Sequence, residues 1–236
     1  MKRLSLDRTT LKLIAVVAMA IDHIAAVFLI GLTAGSFGWI YYFCRFIGRI
    51  TAPIMCFFIS EGFIHTSSRK NYLIRMAVFA LISQPFYTLA FYGKVLTLRF
   101  SMIFTLFVSL VMLCAWEKIK PMPLRILAVI VCVLLTIRGD WYVYAPIMVF
   151  GCYVMRDSQY RLLIPAAVSL YMVVTGGLTA GAIGAFMQSG MIVSVLLLSF
   201  YNGERGRSGS FSKWFFYIFY PAHLFVIYIV SLILRG

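Results

Sequence analysis

Long, continuous apolar runs are the feature that most constrains this chain. Hydrophobic residues make up 63% of its 236 residues and charged residues only 12%, whereas a soluble domain is about half apolar and a quarter charged. A helix needs ~20 apolar residues to cross the ~30 Å hydrocarbon core of a bilayer, and several runs reach that length. The strands of a membrane barrel would alternate apolar and polar residues, which these runs do not. The sequence therefore predicts an all-α polytopic integral membrane protein.

The runs predict about nine transmembrane helices in a single domain, residues 1–236. Their boundaries are least defined between residues 123 and 176, where the break between the fifth and sixth spans depends only on Arg138-Gly139-Asp140. The predicted spans are 11–32, 41–66, 71–92, 100–117, 123–138, 141–155, 160–176, 184–201 and 212–234.

Basic residues predict the orientation of these spans. A net charge of +14 would raise the question of nucleic acid in a soluble protein, but most basic residues here lie in short loops, and no nucleic-acid partner is predicted. With the N-terminus in the cytoplasm, fifteen of the 21 Lys and Arg residues fall inside, as the positive-inside rule expects. Nine spans then leave the C-terminus outside. The inside residues are Lys2, Arg3, Arg8, Lys12, Arg69, Lys70, Arg75, Lys118, Lys120, Arg125, Arg156, Arg161, Arg205, Arg207 and Lys213, and the outside residues are Lys94, Arg99, Arg138 and Arg235.

An aspartate and a histidine stand together inside the first run, in Met19-Ala20-Ile21-Asp22-His23. Ionisable residues within a span are costly, rare and usually functional. A neutral imidazole can take a proton from an acceptor group near pH 7. We therefore predict that His23 is the base of a membrane-embedded transfer reaction.

Three distant spans place ionisable groups at a similar depth. At 1.5 Å per residue, His23 lies ~18 Å from the inner edge, Arg49 ~12 Å below the outer edge and His223 ~14 Å from the inside. Arg45 and Arg49 share a helix face because they are four residues apart. The sequence leaves open whether Asp22 neutralises one of these arginines or orients His23, and the arginines could also hold an anion or a developing oxyanion.

Two further patterns add candidate residues. Glu61 and His65 are four residues apart on the inner half of the second span, a spacing at which a carboxylate can orient a histidine. Near the C-terminus, Pro221 removes a helix hydrogen bond beside His223, and a kink there would turn Tyr220 and His223 into a cavity.

Other stretches predict structure rather than chemistry. The five cysteines show no CxxC spacing and are expected to be small buried hydrophobes. No HExxH, P-loop or GxSxG motif occurs, and no metal site is predicted. The glycine-rich residues 176–190 are expected to form an outer turn leading into a tightly packed helix, or else a broken helix lining a cavity. Residues 202–212 are expected to be the most flexible segment.

Four stretches together resemble the TraX family of integral membrane proteins. They occur in order along the chain, from the first span to the last. They are Leu11-Lys12-Leu13-Ile14-Ala15 with Met19 and Asp22-His23; Arg45 to Ile50 with Pro53 and Ser60 to Thr66; Tyr72 to Arg75 with Ala80 to Pro85; and Phe216 to Leu224.

The resemblance implies a function. TraX proteins are known for acetylating the N-terminus of the conjugative F-pilin subunit. The first stretch also resembles the broader transmembrane acyltransferases, in which a basic residue and a methionine precede a catalytic histidine and the acyl donor is cytoplasmic acyl-CoA. The matching residues are Arg8 or Lys12, Met19 and His23, although Arg8 is followed by Thr9 where that group commonly has glycine.

The combined interpretation is an acetyltransferase that uses acetyl-CoA. His23 is expected to be the base, with Asp22, Glu61 and His223 as further catalytic candidates. Substrate or oxyanion contacts are expected from Arg45, Arg49 and Tyr220. The CoA phosphates are expected to meet Arg8, Lys12, His65, Arg69, Lys70 and Arg75.

Other functions stay open on the sequence alone. The acceptor could be a peptide N-terminus or a glycan amine or hydroxyl. A transporter or permease could use the same polar cavity, although no repeated halves are visible, and a non-catalytic assembly protein is a third interpretation. The sequence leaves open the acyl chain length and whether the protein forms a homo-oligomer in the bilayer.

Overall fold

The computed structural model describes residues 5–206 and 210–235, with side chains described except at 210–213 and 235. Lys2, Arg3, Arg207 and the side chains of Lys213 and Arg235, all used for the predicted orientation, lie outside this description. Within it the fold is all-helical, with isolated bridges but no strand. The helices are α1 Arg8–Ile24, α2 Gly38–Gly48, α3 Thr51–His65, α4 Arg69–Tyr92, α5 Met102–Lys118, α6 Met122–Leu135, α7 Tyr144–Val154, α8 Leu163–Ser199 and α9 Ser210–Arg235.

Five helical segments in the described part are long and apolar enough to cross a membrane. They are Arg8–Ala34, Gly38–His65, Arg69–Tyr92, Leu163–Ser199 and Trp214–Leu234. Large apolar side chains also lie on the surface, among them Leu81, Leu96 and Leu178. Such exposure suits contact with lipid, because lipid tails are as apolar as these side chains. The prediction of a helical membrane protein is confirmed at this level.

The helices follow the predicted runs, with two differences. The predicted span 41–66 is divided into α2 and α3 by a turn at Arg49 and Ile50. The predicted turn after residue 176 is much shorter than expected, because α8 leaves helical geometry only at Ala180 and Gly181. Gly181 has φ +63° there, a conformation that glycine adopts without steric cost.

The chain divides into two compact units. Unit 1 comprises Met1–Met55 and Pro165–Gly236, and unit 2 comprises Cys56–Ile164. In unit 1, α1 packs against α2 and α9. In unit 2, α5 is the central helix, since it packs against α4, α6 and α7.

The segment after α8 is held in place by hydrogen bonds in its described part. The Leu6 amide donates to the Phe200 carbonyl and the Asn202 amide donates back to the Leu6 carbonyl. The Arg8 amide donates to the Glu204 carbonyl, and the Thr9 hydroxyl donates to the Arg205 carbonyl at 2.8 Å. Residues 200–205, which include the first part of the segment expected to be the most flexible, are therefore hydrogen-bonded to residues 6–9.

Candidate functional site

Two histidines that are 200 residues apart in sequence meet between α1 and α9. Nδ1 of His23 lies 2.8 Å from Nε2 of His223, and the two ring planes differ by only 12°. His23 is 7% exposed. The predicted common depth of these residues thus corresponds to a direct side-chain contact within unit 1.

Aromatic neighbours on α9 hold the histidine pair. Nδ1 of His223 lies 2.8 Å from the Phe219 carbonyl oxygen, and the Phe219 ring stacks on His223 at 4.9 Å. The buried ring of Tyr220 meets both imidazoles edge-on. Helix α9 continues through Pro221, so the spacing within the helix already brings Tyr220 and His223 to the face that meets α1.

The helix changes its winding directly after His23. Residues Ala25–Leu29 form a π-helical turn, followed by a 3₁₀ segment at Ile30–Ala34. π-helical turns are rare, and those that occur are frequently located at functional sites. The irregular winding begins two residues after the predicted base.

Asp22 pairs with Arg45, which answers one question that the sequence leaves open. Asp22 Oδ2 lies 2.7 Å from Arg45 Nη1. Gly48 makes this approach possible, because a Cβ atom there would lie 2.0 Å from Asp22 Oδ1. The carboxylate therefore neutralises an arginine across α1 and α2, while the hydrogen bond of His23 runs to His223.

Arg49 lies at the turn between α2 and α3. Its charge acts on Asp22, whose salt bridge is formed by Arg45. A Cβ at Gly190 of α8 would lie 3.1 Å from the Cβ of Arg49, which shows how closely α8 approaches this turn. The group of Asp22, Arg45, Arg49 and the two histidines therefore has two arginines for one acid, and it carries a net positive charge when the histidines are neutral.

The basic residues at the start of α1 share a face with His23. Arg8, Lys12, Met19 and His23 fall within ~60° around an ideal helix. Lys12 Nζ lies 5.2 Å from the centre of the Phe216 ring on α9, so this face meets α9 along its length. Eleven residues separate Lys12 from His23, a rise of ~16 Å.

Glu61 is the centre of a separate ion-pair network in unit 2. Its Oε1 lies 2.5 Å from Arg161 Nη2, and its Oε2 lies 3.6 Å from Nε2 of His65. Glu61 is 4% exposed, and the Arg161 guanidinium lies over the Phe57 ring. Arg161, a loop residue in the predicted topology, is thus bound to a helix that precedes it by 100 residues.

The other predicted donor-binding residues of unit 2 have different surroundings. Arg69 forms a salt bridge with Glu117, which also accepts the Tyr153 hydroxyl at 2.7 Å. Lys70 is exposed. Arg75 is half-buried beside the Tyr72 ring, and its Nε has no hydrogen-bond acceptor in the described structure.

Sequence reasoning missed Arg161, Glu117, Gly48 and the Phe219 carbonyl. Arg161, the partner of Glu61, and Glu117, the partner of Arg69, had a signal in the sequence. The chain has only seven acidic residues, and an acid near a span must find a cation or water. Gly48 stands between Arg45 and Arg49, a position at which a side chain would separate α2 from Asp22. The carbonyl had no sequence signal, because every residue carries one.

Comparison with known proteins places the chain in a family. Residues 7–231 match the family described as TraX protein. The chain belongs to the TraX family. This TraX-family chain is also 33% identical, over 229 residues and 91% of each chain, to the probable fimbrial assembly protein FimC, serogroup H1, of Dichelobacter nodosus. No solved structure matches it. The resemblance based on four sequence stretches is confirmed.

Proposed function

We propose that this protein is a membrane-embedded acetyltransferase that moves an acetyl group from cytoplasmic acetyl-CoA to an amine or hydroxyl acceptor. The observation that carries the proposal is the buried His23 imidazole in a helix long enough to cross a membrane, hydrogen-bonded to a second imidazole. Such a residue is costly in an apolar segment, so its presence indicates a function.

The acceptor we favour is the N-terminus of a pilin or fimbrial subunit. The family resemblance supports acetylation of a pilin, and the relative from Dichelobacter nodosus carries the name of a fimbrial assembly protein. A glycan amine or hydroxyl is the second acceptor class to be assayed.

The reaction needs one base and one oxyanion donor. His23 takes a proton from the acceptor amine as its nitrogen attacks the acetyl carbon, the bond from that carbon to sulfur breaks, and the proton passes to the leaving thiolate. Negative charge that develops on the acetyl oxygen requires a positioned donor. Arg49 and Tyr220, both in unit 1, are the proposed donors, while Arg45 is held by Asp22.

Arg8 and Lys12 are proposed to bind the phosphates of the donor. They lie at the start of α1, with Lys12 ~16 Å along the helix from His23. The extended thioester arm of acetyl-CoA would bridge that distance by running beside the contact between α1 and α9. In unit 2, His65, Arg69, Lys70 and Arg75 stay candidates from the sequence. Of these, Arg69 already has Glu117 as a partner.

The test is acetylation by the purified full chain in lipid nanodiscs. Isotopically labelled acetyl-CoA is incubated with pilin N-terminal peptides and, separately, with glycan acceptors, and the products are identified by mass spectrometry. Loss of a general base typically costs 10²–10⁴-fold in rate, so we expect His23→Ala and His23→Gln both to lose that much. Glutamine can replace a structural hydrogen bond but cannot take the proton.

A matched pair of lysine variants tests the binding of acetyl-CoA. Lys12→Ala should raise KM for acetyl-CoA, whereas Lys94→Ala, which removes an exposed lysine from the loop between α4 and α5, should not. Full activity of His23→Gln would refute the base role. Absence of acetylation, with uptake of a solute into sealed vesicles, would favour the transporter interpretation.

We also propose nine membrane crossings with the N-terminus in the cytoplasm. Each of the nine predicted runs is helical in the described structure, but α7 has 11 residues and is only ~16 Å long. Its crossing is therefore the step to test. Positions 138 and 157 flank α7. If α7 crosses the membrane, Arg138→Cys and Asp157→Cys, each made in a chain without its native cysteines, should react with impermeant maleimide from opposite sides of the membrane. Labelling from the same side would remove one crossing.

A further inference from the structure

The histidine pair and the Phe219 carbonyl form a series of hydrogen bonds in unit 1. The Phe219 carbonyl oxygen lies 2.8 Å from Nδ1 of His223, and Nε2 of His223 lies 2.8 Å from Nδ1 of His23. Both distances are those of good hydrogen bonds. The carbonyl is the one member whose role is fixed, because it can only accept.

The direction of this series follows from that carbonyl. Nδ1 of His223 must carry a hydrogen, since an unprotonated nitrogen would set two lone pairs against each other at 2.8 Å. In a neutral His223, Nε2 is then an acceptor. Nδ1 of His23 must donate to it, which leaves the lone pair of His23 on Nε2.

We propose that His223 is a positioning residue that holds His23 in the tautomer protonated at Nδ1, so that Nε2 of His23 is the basic nitrogen. The role of that nitrogen in acetyl transfer rests on the proposed function, whereas the tautomer itself rests only on the hydrogen bonds. His223 thus has both ring nitrogens engaged and acts through His23 rather than on the acetyl oxygen.

The surroundings favour a histidine over a carboxylate as the residue that positions His23. Asp22, the neighbouring acid, is bound to Arg45, and an ionised carboxylate in the place of His223 would be costly to bury between two apolar helices. Phe219 and Tyr220 hold the His223 ring from two directions. A neutral imidazole therefore orients His23 without adding charge to an apolar helix interface.

The hydrogen-bonded histidine pair also provides a place for the proton during the reaction. When Nε2 of His23 takes a proton from the acceptor, the His23 ring becomes cationic and its Nδ1–H still points at Nε2 of His223. That hydrogen can move to His223, whose Nδ1–H continues to donate to Phe219. The positive charge is then shared by the two rings. When the hydrogen returns from Nε2 of His223 to Nδ1 of His23, the proton on Nε2 of His23 can pass to the leaving thiolate.

Nitrogen NMR tests the tautomer directly and needs no substrate. The chain has three histidines, so ¹⁵N-histidine labelling of the full chain in nanodiscs gives few signals, which single replacements of His23, His65 and His223 by glutamine assign. Protonated and unprotonated ring nitrogens differ widely in chemical shift. We expect both His23 and His223 to be protonated at Nδ1 and unprotonated at Nε2 at neutral pH, the less common neutral tautomer in water. His65, with a side chain 55% exposed, serves as the internal reference.

Two variants separate positioning from packing. In His223→Gln the side-chain oxygen can still accept from Nδ1–H of His23, and the His23 tautomer should be kept. In His223→Leu no acceptor remains, and His23 should change to the common tautomer protonated at Nε2. A wild-type His23 protonated at Nε2, or a His23 tautomer that is the same in both variants, would overturn the proposal.

The acetylation assay adds the functional consequence. His223→Leu should lower kcat roughly 10²-fold, within the range of a misplaced general base, with little change in KM, and His223→Gln should recover most of that loss. Equal kcat in the two variants would refute the positioning role. If no acceptor is acetylated by the wild type, the acetyltransferase proposal fails while the NMR result still decides the tautomer.

Discussion

The His23–His223 pair of unit 1 and the Glu61–Arg161 pair of unit 2 solve the same problem with opposite electrostatics. Each joins segments that are distant in sequence, and each is a polar contact in an apolar chain. The ion pair satisfies two full charges that are costly to bury alone. The histidine pair is neutral and retains a lone pair that can take a proton. The contrast teaches that a closed charge pair keeps both charges engaged with each other, whereas a neutral, titratable pair is available for proton chemistry.

The largest expected effect on stability comes from breaking the ion pair. Glu61→Leu leaves Arg161 with its charge beside the Phe57 ring, and removing one partner of a buried pair costs about 3–5 kcal/mol. The free energy of unfolding, measured by denaturant titration in mixed micelles, should fall by about that amount.

The control for this change is removal of both charges. Glu61→Leu combined with Arg161→Leu should recover most of the lost stability, because apolar residues of similar volume often replace a buried pair without loss. Arg156→Leu, which breaks the exposed Arg156–Asp157 pair, should change little. A double variant as unstable as Glu61→Leu alone would show that Glu61 stabilises through something other than Arg161.

A second prediction tests the ion pair that lies beside the histidines. In Gly48→Ala the new methyl group would lie 2.0 Å from Asp22 Oδ1, so α1 and α2 must separate or Asp22 must leave Arg45. Forcing an added methyl group into a closely packed contact costs about 1–3 kcal/mol. Gly31→Ala is the matched control, since a Cβ there meets nothing within 4 Å. Equal thermal midpoints for the two variants would contradict the close packing of Asp22 on Gly48.

The same contrast explains which parts could be predicted from sequence. The apolar runs determine where helices form, because a bilayer accepts little else, and the helix boundaries agree with the runs to within a few residues. Rare ionisable residues inside those runs also indicated His23, Asp22, Arg45 and His223 as site residues. The rise per residue gave similar depths for His23, Arg49 and His223, and the structure brings the two histidines into contact.

The choice of partner could not be predicted, for a physical reason. Asp22 and His23 are neighbours in sequence but point ~100° apart on a helix, so each meets a different helix. Which helix lies on each side depends on packing, such as the close approach of Gly48 to Asp22 and of Gly190 to the Phe46 carbonyl. Glu61 shows the same limit, because its partner Arg161 follows it by 100 residues and lies in a turn.

The smallest expected effect concerns a neutral hydrogen bond between two residues of unit 1. The Thr51 hydroxyl at the start of α3 donates to the Ala15 carbonyl of α1 at 2.9 Å. Thr51→Val removes the hydroxyl at nearly constant volume, and the carbonyl keeps its usual partner within the helix. The free energy of unfolding should fall by only about 0.6 kcal/mol, the average for such bonds in membrane proteins. Thr175→Val, where the hydroxyl bonds within its own helix, should have no measurable effect. A loss as large as that of Glu61→Leu would mean that neutral contacts, too, are major sources of stability in this protein, and the distinction between the histidine pair and the ion pair would then rest on proton chemistry alone.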